Sequence, residues 1–196
     1  MVTEAQARQI IGVEGANVLA DIITGAWRDH LAEGRPRGQR ARADIVWEYM
    51  TARADEKLAT MEGVSRTERY NSPLYVLRER MILRFKKHNQ DFETRNYKTA
   101  EQKALDSQGH FDGLPDLPHV SCGYVLDAAD ADIDRLVVVR RVRGSVEWFI
   151  DLNDLARGNV EPATPIIPDF PTVTGDDIAP LPSIRIKRDE ESGQDS

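Results

Sequence analysis

Between Val120 and Leu152 the chain alternates as a sheet with one buried face requires. Val120, Cys122, Tyr124 and Leu126 alternate with Ser121, Gly123, Val125 and Asp127. Further on, Val146, Trp148, Ile150 and Leu152 alternate with Ser145, Glu147, Phe149 and Asp151. Successive strand residues point to opposite faces, so each apolar set shares one side. Leu136 to Val142, lying between them, is β-branched and apolar, as a central strand should be. Arg143-Gly144 supplies the hairpin turn that joins the last two strands.

Upstream, the runs Leu74-Tyr75-Val76-Leu77-Arg78 and Arg80 to Lys87, divided at Glu79, read as an antiparallel hairpin. Arg66 to Tyr70 is a candidate preceding strand. In the second arm Met81, Leu83 and Phe85 face inward, which puts Arg80, Arg84 and Lys86 on an exposed face. Leu, Arg, Met and Lys are good helix formers, so a helix over 74–87 is the rival reading. Before this, the pattern is helical. Thr3 with Gln6 forms a capping box. Ile10, Ile11, Val18, Leu19, Ile22, Ile23, Trp27 and Leu31 recur at three- and four-residue steps, with a break expected near Gly12 and Gly15. After the loop Gly34 to Gly38, a helix from Arg40 to Met61 carries Val46, Met50, Ala54 and Leu58 on one side. A short helix is also expected over Thr99 to Ser107. The order predicts an α+β fold, with N-terminal helices packed on an antiparallel sheet of five or six strands.

A hydrophobic content of 40% supports one core of ordinary size. Residues 1–156 therefore read as a single domain, helical over 1–62 and sheet-rich over 64–156. From 157 to 196 the chain reads as an acidic, Pro-rich, disordered tail. It has eight acidic and four basic residues, leaving −7 − (−4) = −3 on the rest. The negative total excludes a uniformly basic nucleic-acid binder but leaves room for local basic patches. One cysteine, Cys122, excludes an internal disulfide. With no long apolar run and no leader-like start at Met1-Val2-Thr3-Glu4, a cytoplasmic protein with no membrane contact is expected.

Four groups of residues could carry chemistry. The first is basic. Arg80, Arg84 and Lys86 on the hairpin, with Lys98 nearby, and Arg35, Arg37, Arg40 and Arg42 at the mouth of a helix, suit phosphate or partner contact. A solvated, charged sheet face is the bland alternative. The second group, Asp127, Asp130, Asp132 and Asp134, imitates the start of a calcium loop. Its sixth position from Asp130 is Arg135 rather than Gly, and its twelfth is Arg141 rather than Glu, so a turn is favoured over a metal site. The third, His110, Asp112, Asp116, His119 and Cys122, has ligand chemistry but no ligand spacing. The fourth, Glu68, Glu79 and Lys86, offers the acid and lysine of PD-(D/E)xK nucleases, but no Asp precedes a Glu-x-Lys triplet here. No metal or cofactor is expected, and whether the chain is an enzyme stays open.

Several of these segments together resemble a family of uncharacterised bacterial proteins, mostly actinobacterial. They are Arg40-Ala41-Arg42-Ala43-Asp44-Ile45, Leu83-Arg84-Phe85-Lys86-Lys87, and Arg95-Asn96 with Thr99 and Gln102. The order continues with Gly113-Leu114-Pro115, Gly123-Tyr124-Val125-Leu126-Asp127, and a closing strand with Trp148 and Leu152. Members resemble partners of proteins joining a helix-turn-helix repressor to an ImmA-type domain. The resemblance implies a toxin-like effector of a two-gene toxin–antitoxin or phage-defence module, acting on nucleic acid or translation and held by its cognate repressor or antitoxin. The alternative is a non-enzymatic protein-interaction module. The resemblance carries over no catalytic residue.

Overall fold

A computed structural model of the chain describes residues 2–35, 37–69, 72–94 and 117–158. All the described residues lie in one compact unit. The expected tail, the helix over Thr99 to Ser107, and Lys98, His110, Asp112 and Asp116 lie outside the described residues.

Two helices open the fold: α1 (Glu4–Ala32) and α2 (Gln39–Lys57), the latter ending in a 3-10 turn at Leu58–Thr60. The Thr3–Gln6 capping box is present, with Gln6 N–H donating to Thr3 Oγ1 at 3.3 Å and Thr3 N–H to Gln6 Oε1 at 3.0 Å. The expected break in α1 falls at Gly12 alone, with φ 66° and ψ 175°, while Gly15 stays helical. That backbone region is open essentially only to glycine, so the kink is encoded by one residue. The kink lets the first turns of α1 bend over the sheet. There the Val2 carbonyl accepts from Arg140 Nη1 at 2.9 Å and Trp148 Nε1 at 3.2 Å.

The sheet has six strands in sequential order: β1 (Val64–Arg69), β2 (Ser72–Leu77), β3 (Met81–His88), β4 (His119–Leu126), β5 (Ile133–Val142) and β6 (Ser145–Asp151). The hairpin reading of 74–87 holds and the helical rival does not. Arg78 and Glu79 both take left-handed backbone angles, φ 49° and 53°, which turns the chain tightly between β2 and β3. Arg143 and Gly144 do the same between β5 and β6, φ 52° and 88°. The α+β class is as expected, but the sheet is mixed rather than purely antiparallel, because β3 and β4 run parallel. Two three-stranded meanders thus lie side by side. The physical reason is that a parallel neighbour must start at the same end as β3, which a tight turn cannot achieve and the thirty-residue separation between the two strands permits.

Both helices cover one face of the sheet. Tyr75, Leu83, Phe85, Cys122, Tyr124, Leu136, Val138, Trp148 and Ile150 meet Ile10, Leu19, Ile22, Ile23, Trp27, Val46, Met50 and Ala54 there. A short helix, α3 (Leu152–Ala156), is capped by the Asp151 carboxylate, which accepts from Asn153 N–H and Asp154 N–H at 2.8 and 3.2 Å. Its Leu152 and Leu155 are buried in the same core. α1 has the length and hydropathy of a membrane span, but 56% of its most apolar window is buried inside the fold, as in a core helix. The second face is buried as well. Leu74, Val76 and Ile82 form one cluster and Val125, Val137 and Val139 another, the latter topped by Phe92 and Phe149 stacked at 4.4 Å.

Candidate functional site

The end of α1, the start of α2 and the loop before β5 meet at one corner, and the acidic loop is what ties them. Asp127 shapes its own turn: its carboxylate accepts from Ala131 N–H at 2.7 Å and its carbonyl from Asp130 N–H at 3.0 Å. Asp132 Oδ1 accepts from Ile133 N–H at 2.7 Å and from Trp27 Nε1 at 3.0 Å. Asp130 receives Arg42 Nη1 on its carbonyl at 2.7 Å, with Gln39 Nε2 and Lys87 Nζ on its carboxylate at 2.5 and 3.3 Å. The calcium-like run therefore serves as a clasp. Among the described residues no group of His, Cys, Asp and Glu is arranged to hold a metal.

Around the clasp the corner is cationic. Arg42 lies over the Trp27 ring at 5.7 Å, and Trp27 packs on His30 with ring centres 5.6 Å apart. Arg37 pairs with Glu33. The Tyr49 hydroxyl also donates to Glu33, and together these hold the Glu33 carboxyl below the usual carboxylate range. Burial lowers the pKa of His30, and Arg42 and Arg37 push it the same way. Arg35 and Arg40 are exposed, without an ion pair among the described residues. α2 begins at Gly38, which offers no side-chain cap, and its first turn holds no acid. An uncapped amino end with arginines beside it favours an anion.

The other expected basic residues lie elsewhere, so the basic residues do not form one stripe. Arg80 belongs to the β2–β3 turn rather than to a strand face, and that turn packs by Gly63 beyond the far end of α2. A helix of 19 residues, about 28 Å, separates it from the arginine corner. Arg84 and Lys86 do point away from the helices as expected, but they are half-buried rather than solvated. Beside them on the second face, His88 Nε2 and Ser121 Oγ are 2.8 Å apart, both buried. Burial, with Arg84, Arg141 and Lys86 adding to it, pushes the His88 pKa down to about 3. The neutral imidazole meets a buried hydroxyl on one side, with Ser121 Oγ 3.5 Å from the Val139 carbonyl, while its Nδ1 is buried without a hydrogen-bond partner.

The remaining candidates are not gathered into a site. His119 lies on the second face at the start of β4, and Cys122 faces the helices, where burial pushes its thiol well up. Glu68 pairs with Arg66 on edge strand β1, Glu79 sits in the turn, and Lys86 occupies the opposite side of the sheet. A nuclease-type acid–lysine grouping is absent from these three residues.

Sequence reasoning missed Lys87, His30 and Gly38. Lys87 was within reach of the alternation: it continues Met81, Leu83 and Phe85, so it projects to the helix side and reaches Asp130. His30 and Gly38 gain meaning only from what α1 and α2 place beside them. No family model, curated protein or solved structure matches this chain.

Proposed function

We propose that this chain is the effector of a two-gene toxin–antitoxin or phage-defence module, cytoplasmic and held by a helix-turn-helix/ImmA-type partner. It acts by contacting nucleic acid through the α1–α2 corner. The observation that carries this reading is the exposure of Arg35 and Arg40 beside the uncapped amino end of α2, in a protein of net charge −7. Local positive charge on an acidic body steers phosphates to one place. Arg42, held on the Asp130 carbonyl, adds to that charge, while Arg37 and Lys87 are paired with Glu33 and Asp130.

The test is expression in a bacterium, alone and with the adjacent gene, comparing wild type with the double variant Arg35→Glu, Arg40→Glu. Growth arrest that the neighbour relieves and the variant abolishes, together with salt-sensitive binding of nucleic acid to the purified wild type, supports the reading. Arrest that the folded variant leaves intact refutes the corner as the contact.

A second reading, a non-enzymatic interaction module, rests on α1. Val13 and Leu31 are 47% and 54% exposed and stand eighteen positions apart, five helical turns, so they share a face. Co-purification with the partner that is lost on Leu31→Asp, with no nucleic-acid binding by either form, would select it.

A further inference from the structure

Residues 2–11 join the rest of α1 through a single hinge and are fastened at their far end by two donors. At the hinge, Gly12 has φ 66° and ψ 175°, non-helical angles that glycine alone adopts readily. A small hollow lined by Ile10, Ile11, Leu19, Leu58 and Leu77 lies beside the bend, which therefore borders unfilled apolar space. At the far end, the Val2 carbonyl accepts from Arg140 Nη1 on β5 and Trp148 Nε1 on β6, at 2.9 and 3.2 Å. Between the two points Ala7, Arg8, Ile10 and Ile11 are buried. Arg140 is buried too, and its pairing with Glu147 at 3.0 Å keeps it in place. The segment is an arm, bent at one residue and latched at its other end.

Simple departure of the arm is unfavourable for a specific reason. It would take the Val2 carbonyl away from two buried donors and expose Ile10 and Ile11. The vacated place fits one segment by construction, residues 2–11 of this same sequence. We infer that these residues form an exchangeable arm, through which two copies of the chain interlock, each laying its arm on β5 and β6 of the other. In the interlocked pair α1 runs straight through residue 12, from Glu4 to Ala32, a helix of about 43 Å. The arm keeps its contacts with the sheet, so the hinge conformation and the concentration of chain set the balance between single and interlocked copies. This inference stands apart from the nucleic-acid reading above.

Gly12→Ala moves that balance without touching the latch, because a Cβ at Gly12 meets no atom within 4 Å. Alanine disfavours the bend and favours the straight helix. Dimerisation should therefore tighten by about a hundredfold, tenfold for each of the two hinges. Wild type and variant, each as the full chain, are refolded from urea at rising protein concentration and sized by light scattering. Exchange is told from other dimers by a spin label on Ala5→Cys, an exposed arm position, in chains refolded with isotope-labelled copies that carry no spin label. The native Cys122 is buried, so labelling the folded protein before mixing marks the arm alone. Tighter dimerisation of Gly12→Ala, with broadening of the Trp148 indole signal of the isotope-labelled copy, supports the exchange. A dimer that leaves that signal sharp is joined through another surface and overturns the inference. So does a folded Gly12→Ala variant that self-associates no more than the wild type. Where Gly12→Ala does not fold, the wild type refolded at millimolar concentration decides: intercopy broadening supports the exchange, and a purely monomeric product overturns it.

Discussion

Two glycines three positions apart in α1 should respond to alanine with opposite signs. At Gly12 the backbone has φ 66° and ψ 175°, and a Cβ there touches nothing within 4 Å. The penalty for Gly12→Ala is thus purely one of backbone conformation, about 1–3 kcal/mol for a residue forced into that region. Gly15 is helical. A Cβ there would lie 3.4 Å from Ile11 Cγ2 and 3.8 Å from Met61 Cε, at the edge of a hollow of about 30 Å³ lined by Ile10, Leu19, Leu58 and Leu77. Gly15→Ala gains helix propensity, about 1 kcal/mol, and places a methyl group at the edge of apolar space without overpacking it. Urea unfolding of the two variants reads the contrast directly as midpoints moving in opposite directions at unchanged slope. The separation is about 2–4 kcal/mol, the sum of the two effects. A neutral or stabilising Gly12→Ala would mean that α1 runs straight through residue 12 and that Val2 is not carried onto Arg140 and Trp148. A destabilising Gly15→Ala would mean that the hollow beside it is already filled.

Other perturbations probe the sheet. Gly123 lies in the parallel pair opposite Lys86, and a Cβ there would collide with the Lys86 carbonyl oxygen, a backbone atom that cannot step aside. Gly123→Ala should therefore cost about 3 kcal/mol or more, read by thermal unfolding, and a change under 1 kcal/mol would contradict the close β3–β4 approach. His88 adds a pH signature. Its pKa in the folded state is about 3, against about 6.5 in the unfolded chain, so below pH 6.5 the unfolded state binds the extra proton. Stability is then full above pH 6.5, falls by roughly 2 kcal/mol between pH 7 and pH 5, and stops falling on this account near pH 3. His88→Gln should flatten that slope, and denaturant midpoints measured at pH 7, 6 and 5 that run parallel in both proteins would refute the assignment.

How much of this was legible beforehand depends on which interaction carried the information. Strand positions such as Cys122, Tyr124, Trp148 and Ile150 announce themselves because alternation is a local property, and burial follows it directly. Strand direction is not local. The same alternation serves parallel and antiparallel neighbours, so nothing within Met81–His88 or His119–Leu126 reveals that they run the same way. The clue was the length of the segment between them, thirty residues from 89 to 118, where every other neighbouring pair is joined by a short turn or loop. Gly123 was a second clue, since a glycine inside a strand marks a close backbone approach.

The candidate site was harder to read because charge does not declare its partner. Arg35, Arg37, Arg40 and Arg42 look equivalent in sequence, yet they divide by what the fold brings near them. Arg42 is held by Asp130 from eighty-eight residues away, Arg37 by a glutamate four residues back, and Arg35 and Arg40 stay exposed. The aspartate run divides in the same way: it looked like a ligand set, but Asp130 and Asp132 are bound to Arg42, Gln39, Lys87 and Trp27. Asp130 pairs with Lys87 and Glu33 with Arg37, while Arg42 meets the loop only at a backbone carbonyl, so Arg35, Arg40 and Arg42 are left as the source of the corner's field. The loop thereby opposes the field of the corner even as it holds Lys87 and Gln39 in place. It follows that Asp130→Asn should strengthen, not weaken, nucleic-acid binding at low salt. A fall in affinity, in a variant that unfolds at the wild-type temperature, would show that the clasp positions the contact residues more than its charge opposes them.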